Sequence, residues 1–175
     1  MKIEVNDVIK YPVDDVFAAF RDRLEDLSAY LDAIEKITVL SREEKGDKLH
    51  VVSLWESKIT FPGPIEKLIP MNARRYTDNA TWNNDENSVD WRIELAFFTE
   101  AIRAEGQNRF EPHGEFTMLK IRGEIDVDPR KITGVPTIVA KRIVPTIVKV
   151  IVGNVEKNMK LANRGIERYL AAQPG

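Results

Sequence analysis

The last third of the chain carries the pattern that most constrains the fold. Apolar residues recur there in steps of three or four, at Ile147, Ile151, Val155, Met159, Ala162, Ile166 and Leu170. Charged residues mostly fall between them. This spacing predicts a long helix with one apolar face. A helix over residues 145–172 is roughly 40 Å long at about 1.5 Å per residue, so the rest of the chain must supply a broad apolar surface for it.

A proline lies near the start of this pattern, in an Ile- and Val-rich stretch over residues 138–152. Neighbouring pairs such as Ile143 and Val144 do not alternate with polar residues, so we interpret the stretch as helix rather than strand. Proline removes one helical hydrogen bond and costs ~3 kcal/mol in a helix interior. We therefore expect the helix either to kink at Pro145 or to restart there after a shorter segment over residues 136–142.

Composition narrows the class of protein. A chain of 175 residues with 43% hydrophobic residues is expected to form a single domain over residues 1–175. A net charge of −2 argues against general nucleic-acid binding, and the lack of cysteine excludes disulfides, thiolate metal sites and a cysteine nucleophile. The first residues are too polar for a signal peptide, and the most apolar run is far shorter than the ~20 residues that span a bilayer. We expect a cytoplasmic protein with no integral membrane segment.

The remaining residues predict seven strands and two short helices. Residues 2–10 alternate as a first strand, with an irregularity at Asp7 that suggests a bulge. A helix with Pro12 at its start and a second short helix through Leu24, Leu27, Leu31 and Ile34 come next. Later strands are predicted over residues 37–41, 49–56, 74–82, 88–98, 102–110 and 115–127. Residues 58–71 contain three prolines and form a connection.

This order of elements predicts an α+β protein, in which a curved antiparallel sheet of six to seven strands packs on the C-terminal helix. The stretch Val8 to Phe17, the pattern from Tyr76-Thr77-Asp78 through Trp82 to Trp91-Arg92-Ile93-Glu94, the strands with Gly106 and Gly123, and the terminal helix resemble the START-like superfamily. That superfamily includes polyketide cyclases, coenzyme Q-binding proteins and the birch-pollen allergen family. The resemblance implies a helix-grip fold with an apolar cavity between sheet and helix.

A cavity of this kind predicts binding, transport or sensing of a small hydrophobic molecule such as a lipid, a quinone or a polyketide-like compound. The residues expected to line it are Trp55, Tyr76, Trp82, Trp91, Ile93, Ile121, Ile147 and Ile151, with the 62–71 connection at its border. An indole can line an apolar cavity and still donate one hydrogen bond. Ordinary core packing is the alternative for each tryptophan and for Tyr76. Transient membrane contact is compatible with this function, and the oligomeric state stays open.

Two other functions remain as alternatives. A cyclase or hydrolase on the same cavity needs an inward acid, base or arginine, and Tyr76, Arg103 and His50 are the candidates. The other alternative is a protein-interaction module. No phosphate loop, serine elbow or metal-binding motif is present, so catalytic residues stay unknown and we expect neither a metal nor a cofactor. The alternating Arg103, Glu105, Gln107 and Arg109 are interpreted as a solvated outer face.

Overall fold

The structure, a computed structural model, describes residues 1–58, 60, 71–96, 100–131 and 137–173. The strands are β1 (Lys2–Ile9), β2 (Ile34–Lys45), β3 (Lys48–Ser57), β4 (Arg75–Asn83), β5 (Ser88–Leu95), β6 (Ile102–His113) and β7 (Phe116–Val127). The helices are α1 (Val13–Asp22), α2 (Leu24–Leu27) and α3 (Thr137–Ala171), with short 3-10 turns at Ser28–Tyr30, Met71–Arg74 and Pro129–Lys131. The predicted 62–71 connection lies outside the described residues, except for its last residue, Met71.

All seven strands form one antiparallel sheet in the order β1-β7-β6-β5-β4-β3-β2. The two edge strands, β1 and β2, follow one another in the chain, so their connection must cross the whole sheet. Helices α1 and α2 make this crossing on one face of the sheet. The predicted α+β class, the sheet, the two short helices and the long C-terminal helix are therefore confirmed.

One face of the sheet, which we call the helix-side face, holds the core. It carries the apolar positions of each alternating strand, among them Val5, Leu49, Val51, Ala80, Val89, Phe110, Leu119 and Ile121, all buried. The outer face carries the polar row that the sequence predicts. Arg103 pairs with Glu105 at 2.9 Å, and Arg109 donates to the Gln107 amide oxygen at 2.8 Å. This confirms that the row is an outer, solvated face.

The C-terminal part of α3 packs against β1, α1 and the Ser28–Tyr30 turn. Ile166, a member of the predicted apolar stripe, is fully buried there. Gly165 lies so close to the turn that a Cβ atom at this position would be 2.5 Å from the Tyr30 carbonyl oxygen. A small residue on the helix therefore allows this close contact between backbones.

A polar cluster at Asp7 fixes α3 to β1. The Asp7 carboxylate accepts hydrogen bonds from Asn163 and from Arg164, each at 2.9 Å. Arg164 also donates to the Val8 carbonyl oxygen at 2.7 Å. Burial alone raises the pKa of Asp7, but these hydrogen bonds outweigh burial and lower the pKa below its usual value. The predicted bulge at Asp7 is wrong, because β1 pairs with β7 in unbroken register and Asp7 is a regular inward position.

We expect Asp7→Ala to lower the free energy of unfolding by about 2 kcal/mol, because the buried Asn163 amide loses its acceptor. Urea unfolding at pH 7 measures this loss. Glu4→Ala on the same strand is the matched control, since Glu4 and Arg122 are both exposed and their 3.5 Å ion pair contributes little. Equal losses in the two variants would show that the Asp7 cluster does not fix the helix.

Two helix predictions need correction. The second short helix does not reach Ile34, because α2 ends at Leu27, the 3-10 turn ends at Tyr30, and Ile34 already pairs with Ser57 in the sheet. The last helix runs without a break through Pro145, so the expected restart at this proline is wrong. Pro145 lies eight residues inside this 35-residue helix. A kink at Pro145 stays a prediction.

Candidate functional site

A stacked aromatic pair marks one end of the helix-side face. Trp55 on β3 and Tyr76 on β4 are direct cross-strand partners. Their rings are 5.8 Å apart between centroids and 16° from parallel. The Trp55 indole N–H donates to the Ser53 hydroxyl at 2.9 Å, which fixes the orientation of the indole. Both residues are only partly buried, unlike the fully buried core residues on the same face.

Trp91 lies on the same face of β5 and covers two glycines. Gly106 and Gly123 are opposite each other on β6 and β7. A Cβ atom on Gly123 would be 2.8 Å from the indole, and one on Gly106 would overlap it. The Trp91 N–H donates to the Asn108 side-chain oxygen at 2.9 Å. The two glycines therefore provide the space in which this indole lies against the sheet.

Asp78 lies between these aromatic residues on the helix-side face of β4. Its cross-strand neighbours are Ser53 on β3 and Ile93 on β5. The Oδ1 oxygen has almost no accessible surface and, in the described part of the chain, no hydrogen-bond partner. Burial raises the pKa of Asp78 to about 7. The site thus contains a carboxyl group that can hold or release a proton near neutral pH.

Tyr76, which is next to Asp78 on the same face, differs from it because its phenol does not lose its proton near neutral pH. Burial raises the pKa of Tyr76, and the nearby charge of Asp78 raises it further. Tyr76 therefore keeps its proton and can donate a hydrogen bond throughout the pH range in which proteins are stable. An acid–base group and a permanent donor lie two residues apart on one strand.

The burial of the helix-side face divides it into two regions. In the first, α1 covers the sheet, and Trp82 is buried with its ring 5.3 Å from Phe17 and 6.2 Å from Phe110. In the second, the apolar side chains are only half-buried. We call this second region the aromatic end, and it consists of Trp55, Tyr76, Asp78, Trp91, Ile93 and Leu95. The aromatic end is the candidate functional site.

Four of the eight predicted lining residues meet at the aromatic end, namely Trp55, Tyr76, Trp91 and Ile93. Trp82 and Ile121 are buried elsewhere in the core, so they face the right side of the sheet but lie apart from this end. Ile147 and Ile151 lie on α3, and their side chains are outside the described part of the structure. For all eight residues, contact with a ligand stays a prediction.

Of the three predicted candidates for catalysis, only Tyr76 faces the helix side. His50 is exposed on the outer face, where its Nδ1 atom is 3.0 Å from the Thr81 hydroxyl oxygen. Arg103 is exposed on the same outer face. The sequence analysis did not identify Asp78 as a site residue. Asp78 is an even number of residues from Tyr76, Ala80 and Trp82, and this spacing places all four side chains on the same, inward side of the strand. An acidic residue in an otherwise apolar inward row was the signal.

A cleft of about 540 Å³ shares Ile93 with the aromatic end. Its lining includes Ile93 and Ile102, but most of it is charged, with Arg92, Glu94, Glu100, Arg103 and Lys131. A mostly charged lining does not suit an apolar ligand. In the described part of the chain, no three histidine or acidic side chains are grouped as metal ligands. No helix there is long and apolar enough to cross a membrane.

No protein-family model and no curated protein matches the sequence. Solved structures do match in fold. The protein TTHA0849 from Thermus thermophilus superposes with a TM-score of 0.66 at 20% identity, over 99% of this chain and 100% of that one. The Zhui aromatase/cyclase from Streptomyces sp. R1128 gives 0.67 at 14% identity, over 100% and 98% of the two chains.

Norcoclaurine synthase from Thalictrum flavum is similar over 99% of this chain and 87% of its own, with a TM-score of 0.62 at 13% identity. At these identities the likeness concerns the arrangement of elements, and it does not extend to the site residues. The chain therefore shares the helix-grip fold of these solved structures, and this fold is the one that its sequence predicted.

Proposed function

We propose that the protein binds a small, mostly apolar molecule at the aromatic end of the sheet. The observation that carries this proposal is the contrast in burial along one face. The same face that is tightly packed at Trp82, Val89 and Phe110 keeps accessible aromatic surface at Trp55, Tyr76 and Trp91. Half-buried aromatic side chains with a few polar groups among them are typical of ligand sites.

The solved structures of the same fold support a ligand site without identifying its ligand. Their names include an aromatase/cyclase and a synthase, and others are described as Ara h 8.0201 and a major latex-like protein. Enzymes and proteins of other kinds thus share this scaffold. A lipid, a quinone or a polyketide-like compound remains the class of ligand that we favour, and carriage or sensing remains the favoured role.

We expect the neutral dye Nile red to bind the folded protein saturably and to be displaced by fatty acids or quinones. Trp55→Ala should weaken dye binding about tenfold, which corresponds to ~1.4 kcal/mol of lost aromatic contact. Fluorescence titration measures both affinities. Phe116→Ala is the control, because Phe116 is an exposed aromatic residue outside the site. Absence of saturable binding to the wild-type protein would rule out the proposal.

Acid–base catalysis on a bound molecule is the second candidate function, and Asp78 is the observation that favours it. General acid–base catalysis is most efficient when the pKa of the catalytic group lies near the working pH. The carboxyl group of Asp78 meets this condition, and Tyr76 supplies a donor nearby. Mass spectrometry of the copurifying compound before and after incubation with the wild-type protein and with Asp78→Asn would distinguish the two functions, because only an enzyme converts the compound, and the variant should not.

A protein-interaction module receives little support. The exposed large hydrophobic side chains of the described residues are Met1, Leu40, Phe116 and Ile138. They lie before β1, on β2, on β7 and on α3, in four separate parts of the fold. An interaction surface needs a contiguous apolar patch of several hundred Å².

A further inference from the structure

We propose that the molecule bound at the aromatic end carries an amine and that the Asp78 carboxylate is the group that binds it. This inference rests on the proposed binding function and adds the chemical class of the ligand. Its basis is the Asp78 Oδ1 oxygen, which has almost no accessible surface and no hydrogen-bond partner among the described residues.

The neighbours of Asp78 supply neither a positive charge nor a hydrogen bond to its Oδ1 oxygen. Ser53 is directly opposite and accepts the Trp55 indole N–H, but its own hydroxyl makes no hydrogen bond to the Asp78 Oδ1 oxygen. Ile93, the neighbour on the other side, is apolar. Arg75 on the same strand and Arg92 on β5 pair elsewhere, since Arg75 is 2.9 Å from Glu56 and Arg92 is 3.7 Å from Glu94. An ion pair within this part of the protein does not explain the carboxyl group.

A buried polar group without a partner costs free energy, and native proteins contain few of them. Such a group is retained when it serves a purpose that packing alone does not require. Asp78 as a residue keeps some accessible surface on the helix-side face, although its Oδ1 atom is turned inward. Rotation about the last side-chain torsion, which is broad for aspartate, exchanges the two oxygens and presents either one to a ligand.

An amine fits this position better than a hydroxyl or a carboxylate. A protonated amine supplies both the hydrogen bond and the compensating charge that a buried carboxylate lacks. A hydroxyl supplies only the hydrogen bond, and a carboxylate is repelled. The stacked rings of Trp55 and Tyr76 begin two residues away on the same face, where they can contact the apolar part of the ligand and attract its cationic group.

Three probes of equal length test the inference, because 4-phenylbutylamine, 4-phenylbutanol and 4-phenylbutyrate differ only in their polar group. The affinity of each probe is measured by its displacement of Nile red from the wild-type protein at pH 8, where the amine is protonated and Asp78 is ionised. We expect the amine to bind at least tenfold more tightly than the alcohol, and the carboxylate to bind most weakly. Asp78→Asn should lower the amine affinity about tenfold and leave the alcohol affinity within twofold.

Asp90→Asn is the matched control, because Asp90 is an exposed carboxylate on the outer face of the next strand. It removes the same charge and should keep the preference for the amine. Equal binding of the three probes, or loss of the preference in Asp90→Asn as well, would overturn the amine assignment and leave the binding function intact. If Nile red does not bind the wild-type protein at all, the binding function itself fails. Thermal unfolding of each variant shows that it is folded under the conditions of the titration.

Discussion

Asp78→Asn is expected to stabilise the protein at pH 8 by about 4 kcal/mol and to have little effect at pH 4. The pKa of Asp78 is about 7 in the folded protein and 3.8 when it is unperturbed. Between these values the folded protein keeps a proton that the unfolded chain has released, so stability falls as the pH rises through this window. A difference of about three pKa units corresponds to about 4 kcal/mol, and asparagine avoids the cost because it does not ionise.

Urea unfolding of both proteins at pH 4, 6 and 8 measures this effect as a difference between two curves. The difference is needed because Asp7 and Asp22 have lowered pKa values and give the wild-type protein an opposite slope at acid pH. Asp90→Asn should show no such dependence. If Asp78→Asn and the wild-type protein differ by the same amount at every pH, the carboxyl group has a partner and the amine inference loses its basis.

The sheet could be predicted almost completely because six of its strands have one buried face. Alternation of period two is strong where one face packs on the core, as at Trp91, Ile93 and Leu95. The edge strand β2 is the exception. It extends over Ile34–Lys45, but nearly all of its residues are at least partly exposed, and two register shifts interrupt its pairing with β3. A strand that is exposed to solvent on both faces shows little hydrophobic periodicity. The ends of β2 could therefore not be located from the sequence.

The site could be predicted only in part, for a related reason. The alternation of apolar with polar residues along each strand correctly places the aromatic side chains on the helix-side face. The same rule places Asp7 and Asp78 inward, yet a single charged residue in an inward row is a local departure from the pattern. Such departures are expected at functional or structural sites. The two residues differ in that Asp7 is bonded by α3, whereas Asp78 Oδ1 has no partner.

The burial of the individual tryptophans depended on tertiary contacts. Trp82 and Trp91 lie on the same face of neighbouring strands and have similar sequence surroundings. Trp82 is buried by Phe17 of α1, which arrives from a distant part of the chain. Trp91 is placed by Gly106 and Gly123, which leave room for its indole. The structure shows a close approach of the indole to both glycines, which the alternation of the strands does not predict.

The second large effect is expected for Gly106→Ala, which should lower the free energy of unfolding by about 3 kcal/mol or more. A Cβ atom at this position would overlap the Arg122 carbonyl oxygen and lie 2.7 Å from the Gly123 Cα atom. Both are backbone atoms of β7, so β6 and β7 must move apart to admit a methyl group. Gly46→Ala is a useful comparison, because Gly46 has a φ of 67° but no atom near its would-be Cβ. Its cost should stay at roughly 1–2 kcal/mol.

Gly123→Ala separates the two causes of strain, because its nearest obstacle is the Trp91 side chain at 2.8 Å rather than the backbone. In a Trp91→Val background, Gly123→Ala should cost at least 1 kcal/mol less than in the wild-type protein, since the indole is no longer in the way. Gly106→Ala should remain costly in that background. Urea unfolding of the single and double variants gives both coupling energies. Equal costs of Gly123→Ala with and without the indole would show that Trp91 does not rest on this glycine, and the aromatic end would then lose one of its fixed walls.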